Sequence, residues 1–165
     1  MGVKSGLAPI ATEAARLFVL GSLPGDRSLS EGRYYAHPTN QFWRLLGSAL
    51  GEDLQALGYD ARLERLASRR IGLWDVIGAA HRQGSTDQAI RGASHNAIER
   101  LMQDYPKLRA IAFNGTTSAA AGRRLIGAAP SGIALIDLPS SSAANTRPFA
   151  EKVEAWSVLG RFVAD

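Results

Sequence analysis

Cysteine is absent from the 165 residues. That excludes a disulfide, a thiolate nucleophile, an iron–sulfur cluster and any cysteine-ligated zinc. Histidine occurs three times, at His37, His81 and His95, without H-x-x-x-H or comparable spacing, so no metal is expected. No apolar run approaches the roughly 18–20 residues of a membrane-spanning helix, and no signal-type apolar stretch opens the chain. A membrane is therefore not an expected partner, and the cytoplasm is the expected location. Internal repeats and low-complexity linkers are missing as well.

What is present suits a folded chain. Charged residues make up 21% and apolar residues 45%, a balance that supports a buried core. The length fits one domain over residues 1–165, in which residues 1–14, small and without period, read as a loosely attached leader. The formal charge of +4 is a mild basic bias that suits nucleic acid and equally suits simple solubility.

Short apolar runs at 16–21, 71–77, 109–113 and 133–138 read as strands. Helical spacing marks 42–50, 60–70, 94–104, 116–126 and 148–163. This alternation predicts an α/β fold: a three-layer α/β/α sandwich with a four-stranded, mainly parallel central sheet. The polar segments 21–40, 74–87, 114 and 139–147 all follow strand ends. They are expected to meet on one rim, where open α/β sheets bind ligands.

Each of these segments carries two readings. Gly21 and Gly25 allow a close backbone approach or a positive φ, or they make a plain turn. The turn is neither a P-loop, lacking Lys-Ser or Lys-Thr, nor a Gly-x-Gly-x-x-Gly fingerprint. Tyr34 and Tyr35 pack on the domain, or one ring offers a stacking platform for a base. Asn40, beside Thr39, is a natural helix cap or a catalytic amide. Asp75 and Asp87 accept local hydrogen bonds or order loops around a site. Asn114-Gly115, ahead of a helix, presents free N–H groups to a phosphate or a base edge, or makes an ordinary βα turn. Ser140, Ser141 and Ser142 grip phosphate oxygens or form local turns.

Three stretches in order, Gly21-Ser22-Leu23-Pro24-Gly25, then Tyr35-Ala36-His37-Pro38-Thr39-Asn40-Gln41-Phe42-Trp43, then Leu138-Pro139-Ser140-Ser141-Ser142, resemble the base-binding and DNA-gripping loops of the uracil-DNA glycosylase superfamily. The likeness spans about residues 16–163. The Ala-His-Pro-x-Asn-x-Phe-Trp string is also similar to that of the mismatch-specific uracil/thymine glycosylases. The paired tyrosines, Gly72-Leu73-Trp74-Asp75-Val76, Gly84-Ser85-Thr86-Asp87 and Phe113-Asn114-Gly115 look most like the hypoxanthine-DNA glycosylase (DNA-deoxyinosine glycosylase) branch.

The resemblance implies a cofactor-free DNA repair glycosylase that hydrolyses the N-glycosidic bond of a deaminated base, foremost hypoxanthine, and leaves an abasic site. It implies a base pocket of Gly21, Ser22, Leu23, Pro24, Gly25, Tyr35, His37 and Asn114, with Asn40 in the catalytic role. Ser140, Ser141, Ser142, Asn145 and Arg147 would hold the DNA, and Asp75 and Asp87 would order loops or join the site. One departure matters: many superfamily members place Asp or Asn where this chain has Leu23, which cannot hold water. No lysine is suitably placed on the resemblance, so a monofunctional, hydrolytic route is expected. The expected partner is double-stranded or mismatched DNA containing deaminated bases, and the expected working unit is a monomer. Two alternatives stand beside this reading: a uracil or xanthine mismatch glycosylase, and a non-catalytic nucleic-acid-binding module on the same fold.

Overall fold

The computed structural model describes residues 2–163; residues 1, 164 and 165, which the single-domain expectation also spans, lie outside the described residues. In chain order the elements are β1 (Lys4–Ser5), β2 (Leu17–Gly21), α1 (Asp26–Glu31), α2 (Phe42–Leu50) and α3 (Tyr59–Ser68). Then come β3 (Ile71–Asp75), β4 (Ile77–His81), β5 (Arg91–His95) and α4 (Leu101–Asp104). The chain closes with β6 (Ala110–Asn114), α5 (Thr116–Ile126), β7 (Ala134–Leu138) and α6 (Phe149–Trp156), followed by a 3-10 turn at Ser157–Phe162.

Four of the strands form an all-parallel sheet in the order β3-β2-β6-β7, with Leu17 opposite both Ile71 and Ala110, and Ala110 opposite Ala134. β2 and β6 sit inside this sheet and are buried throughout, and both are apolar up to their last residues, Gly21 and Asn114, because both of their faces are covered. Alternation divides their side chains between the faces. Leu17, Val19, Ala110 and Ala112 meet Phe42, Leu66 and Trp156 from α2, α3 and α6. Phe18, Leu20, Ile111 and Phe113 meet Leu101 and Ala121 from α4 and α5. The result is the three-layer α/β/α sandwich that the alternating runs predict.

Four elements depart from the sequence reading, the first being the run 71–77, which breaks at Val76 into β3 and β4 in two different sheets. The leader is not loose: β1 pairs antiparallel with β4, and Ile10 exchanges both backbone hydrogen bonds with Leu73, which covers the outer edge of β3. β1, β4 and β5 form a second, antiparallel sheet, so the segment from Ser94, expected as a helix to Asp104, begins in a strand and turns helical only at Ile98, through a 3-10 turn that leads into α4. The polar stretch after Gly25, expected as loop, opens with the short helix α1. Small residues in β4 and β5, Gly78-Ala79-Ala80 and Gly92-Ala93-Ser94, give almost no apolar alternation, so their pairing is visible only in three dimensions.

Candidate active site

Because the four central strands run parallel, the segments that leave β2, β3, β6 and β7 emerge on one rim. They enclose a cavity of about 790 Å³, lined by Gly21–Gly25, Tyr35, His37, Asn40, Asp75, Asp87, Asn114 and the segment Leu138–Asn145, with Arg147 at its edge. The expected site residues are therefore brought together at one cavity.

Gly21 is where room decides the residue. A Cβ there would lie 2.5 Å from an Asp75 carboxyl oxygen and 3.0 Å from the Tyr35 hydroxyl. Neither Gly21 nor Gly25 has a positive φ. The reason for Gly21 is close approach. Tyr35 itself is left-handed at φ 53°, a conformation that costs a non-glycine residue about 1–2 kcal/mol. Its ring lies parallel on Phe42, with centroids 3.8 Å apart and planes within 6°, so only the opposite face is open to a ligand. Burial raises its phenol well above the usual range, with the Asp75 charge adding to the effect, so the hydroxyl is neutral. Tyr34 is packed into the core, where its hydroxyl donates to the carbonyl of Ala8.

Asn40 has a determined orientation. Its Oδ1 accepts from the backbone N–H of Phe42 at 2.9 Å, at the start of α2, and from the Ser141 hydroxyl at 2.8 Å. The Phe42 amide can only donate, so the oxygen is the end that faces it. Nδ2 then has no protein partner among the described residues and remains accessible. Asn40 thus ties down the helix start and still presents two N–H donors to the cavity.

Ser141 and Asn114 hold this arrangement in place. Asn114 Nδ2 donates to Ser141 Oγ at 2.9 Å and to the Tyr35 hydroxyl at 3.3 Å, while its Oδ1 accepts the Ser141 N–H at 2.9 Å. Both of its amide hydrogens are bonded within the protein. Gly115, at φ 100° with Ser140 Cβ 3.2 Å from the place of its missing Cβ, provides the turn that brings the two loops together. Ser140 Oγ and Ser142 Oγ accept the N–H groups of Ser142 and Ala144, which leaves their own protons available. Asn145 Oδ1 accepts the Arg147 N–H, and Arg147 is exposed. His37 is exposed too; its Nδ1 accepts the Thr39 N–H at 3.2 Å, which leaves the proton of a neutral ring on Nε2.

The opposite wall is acidic. Asp75 is buried at the end of β3, and its Oδ2 has no hydrogen-bond partner. Burial, with the Asp87 charge adding to it and Arg82 opposing, raises this carboxyl to about 7. Asp87 accepts from Ser22 Oγ at 2.6 Å. Leu23 turns into a small apolar cluster with Ile77 and Ala80, which accounts for an apolar residue in this loop.

Arg82 escaped the sequence reading. It is 2% exposed, and its guanidinium donates to the carbonyls of Leu23, Pro24 and Gly84, so it clasps the β2 loop to the segment after β4. Lys4 adds to the clasp through Asp26 at 2.6 Å and the Gly84 carbonyl at 2.8 Å. No periodic or motif signal marks either residue. Among the described residues no group of three or more acidic or histidine side chains is arranged to hold a metal ion.

The family model described as the uracil DNA glycosylase superfamily matches residues 9–160. A protein of Methanosarcina barkeri named hypoxanthine DNA glycosylase is 41% identical over 154 residues, 93% of this chain and 96% of its own. One of the same name from Methanosarcina acetivorans is 40% identical over 159 residues, 96% and 99% of the two chains. A solution NMR structure from M. acetivorans, described as a candidate uracil DNA glycosylase, superposes with a TM-score of 0.85 at 39% identity, covering 97% of this chain and 98% of that one.

Proposed function

The chain belongs to the uracil DNA glycosylase superfamily, and from that membership we propose that it is a DNA glycosylase that hydrolyses the N-glycosidic bond of hypoxanthine in DNA. The observation that carries the substrate is the near-full-length identity of about 40% to two proteins named hypoxanthine DNA glycosylase.

The chemistry follows from the donors at the rim. The damaged nucleotide leaves the stack, at a cost of a few kcal/mol, and its base enters the cavity between Tyr35 and the Gly21–Gly25 loop. The C1′–N9 bond breaks with its electron pair moving to the base. Water then bonds C1′, and a proton ends on the released purine. Asn40 Nδ2 donates to the charge that builds on the base or to the oxygen of the attacking water, because its oxygen is already occupied. Donors fixed before the reaction are worth most where water is excluded. Asn114 and Ser141 keep that amide in place. Ser140, Ser142 and Arg147 meet the phosphates. A strong general base matters less once the bond is largely broken, which is compatible with Leu23.

The test is single-turnover excision from duplexes carrying hypoxanthine, uracil or xanthine, with alkaline cleavage to expose abasic sites. Excision of hypoxanthine is the expected result. Uracil is included because the structural relative is described as a candidate uracil DNA glycosylase, and excision of uracil alone would move the substrate. DNA binding without any abasic product would replace the enzyme with a binding module.

A further inference from the structure

Lys152, on α6, is the one lysine with no exposure at all among the described residues. No carboxylate lies within ion-pair distance of it among the described residues. Burying an unpaired ammonium is unfavourable, and burial pulls its pKa below the usual lysine value. Its three protons are instead taken by three neutral oxygens: Gln41 Oε1 at 2.8 Å, the Asn145 carbonyl at 2.9 Å and the Ser142 carbonyl at 3.3 Å. Such a cage is a strong constraint on the backbone that supplies it.

In a trans peptide the N–H points opposite to the C=O. With the Ser142 and Asn145 carbonyls turned towards Lys152, the N–H groups of Ala143 and Thr146 point away from it. Both residues are exposed, and neither amide bonds a protein acceptor among the described residues. The amides between and after them are closed inside the turn: Ala144 on Ser142 Oγ, Asn145 on the Ser142 carbonyl and Arg147 on Asn145 Oδ1. Both N–H groups are thus left on the outer side of one exposed turn, free to donate to an anionic oxygen. The third ligand of the ammonium, Gln41, follows Asn40 and donates its own N–H to the Ser141 carbonyl at 2.9 Å.

We propose that Lys152 is a positioning residue whose buried ammonium turns the Ala143 and Thr146 amides out towards a DNA phosphate and, through Gln41, joins that cradle to the helix start that carries Asn40. The assignment deepens the glycosylase reading and rests on it. Lys152 touches neither phosphate nor base.

The test titrates the isotope-labelled full chain with a short duplex containing an uncleavable abasic-site analogue. In the wild type the Ala143 and Thr146 amide resonances shift on binding, and an uncharged methylphosphonate at the contacted phosphate weakens binding. In Lys152→Met the two amides no longer respond, affinity falls about tenfold, and the methylphosphonate has no further effect. A variant with a lower Tm that keeps its affinity and its methylphosphonate sensitivity would reduce Lys152 to packing and overturn the proposal. If that variant does not fold, the wild-type titration decides: Ala143 and Thr146 amides unmoved by the duplex overturn it. Failure to excise hypoxanthine, uracil or xanthine would remove the glycosylase reading alone, since the response of the two amides is read without catalysis.

Discussion

The two ends of the Asn40 amide are not equivalent. One is held by Phe42 and Ser141, and the other is open to the cavity. Asn40→Ala removes the open donor, and loss of one such donor typically costs about 10²–10³ in rate. The single-turnover excision rate is expected to fall by that order while duplex affinity changes by less than about threefold; equal losses in both would assign Asn40 to binding or folding. Asp75 makes a different prediction, in the pH dependence of stability. Its carboxyl is raised from 3.8 to about 7. Between these values the folded protein keeps a proton that the unfolded chain has lost, so stability falls as pH rises through the window. Asp75→Asn cannot ionise there. It should be the more stable protein at about pH 8, by on the order of a few kcal/mol, with the advantage vanishing below about pH 4. Thermal melts of the two proteins across that range check it, and a constant difference would mean that Asp75 does not titrate as its burial demands.

At the scale of elements, the cavity wall opposite Asn40 is a loop held by another segment. Without the Arg82 guanidinium, the carbonyls of Leu23 and Pro24 lose a buried donor. Arg82→Met is expected to lower the unfolding free energy by about 2–3 kcal/mol in chemical denaturation. A loss below about 0.5 kcal/mol would mean that water replaces the guanidinium without penalty. The leading segment has a comparable duty at the sheet edges. β1 covers β4 and Ile10 covers β3, and uncovered strand edges invite pairing between molecules. Removing the chain up to Ala11 should therefore produce concentration-dependent association, measurable by sedimentation, with no such change if the two edges are protected in another way.

Across the whole molecule, the central sheet was legible and its accessory sheet was not, for one physical reason. Leu17-Phe18-Val19-Leu20 and Ile111-Ala112-Phe113 are buried on both faces and announce themselves as apolar runs, whereas β5, with Gly92 and Ser94, is held by its pairing with β4 and by the packing of Ala93 alone among its apolar side chains. The site divides in the same way. Glycine, serine and asparagine motifs pointed to the rim, but Arg82 is unmarked within the polar segment 74–87 and Lys152 stands between Glu151 and Glu154 in the last helix, and only the fold shows both of them buried. Charge is likewise dispersed: of +4 overall, the cavity edge takes Arg147, loosely paired with Glu151 at 3.8 Å. Arg147→Ala should then reduce the slope of log affinity against log salt by about 0.9, the value for one phosphate contact, and an unchanged slope would place Arg147 off the DNA. The strand order β3-β2-β6-β7 also governs how the chain comes off the ribosome. β2 and β3 can pair once residue 75 has emerged, yet the other edge of β2 waits for Ala110–Asn114. A nascent chain of intermediate length therefore exposes the most apolar strand edge of the protein to chaperones, and synthesis of the last third is what conceals it.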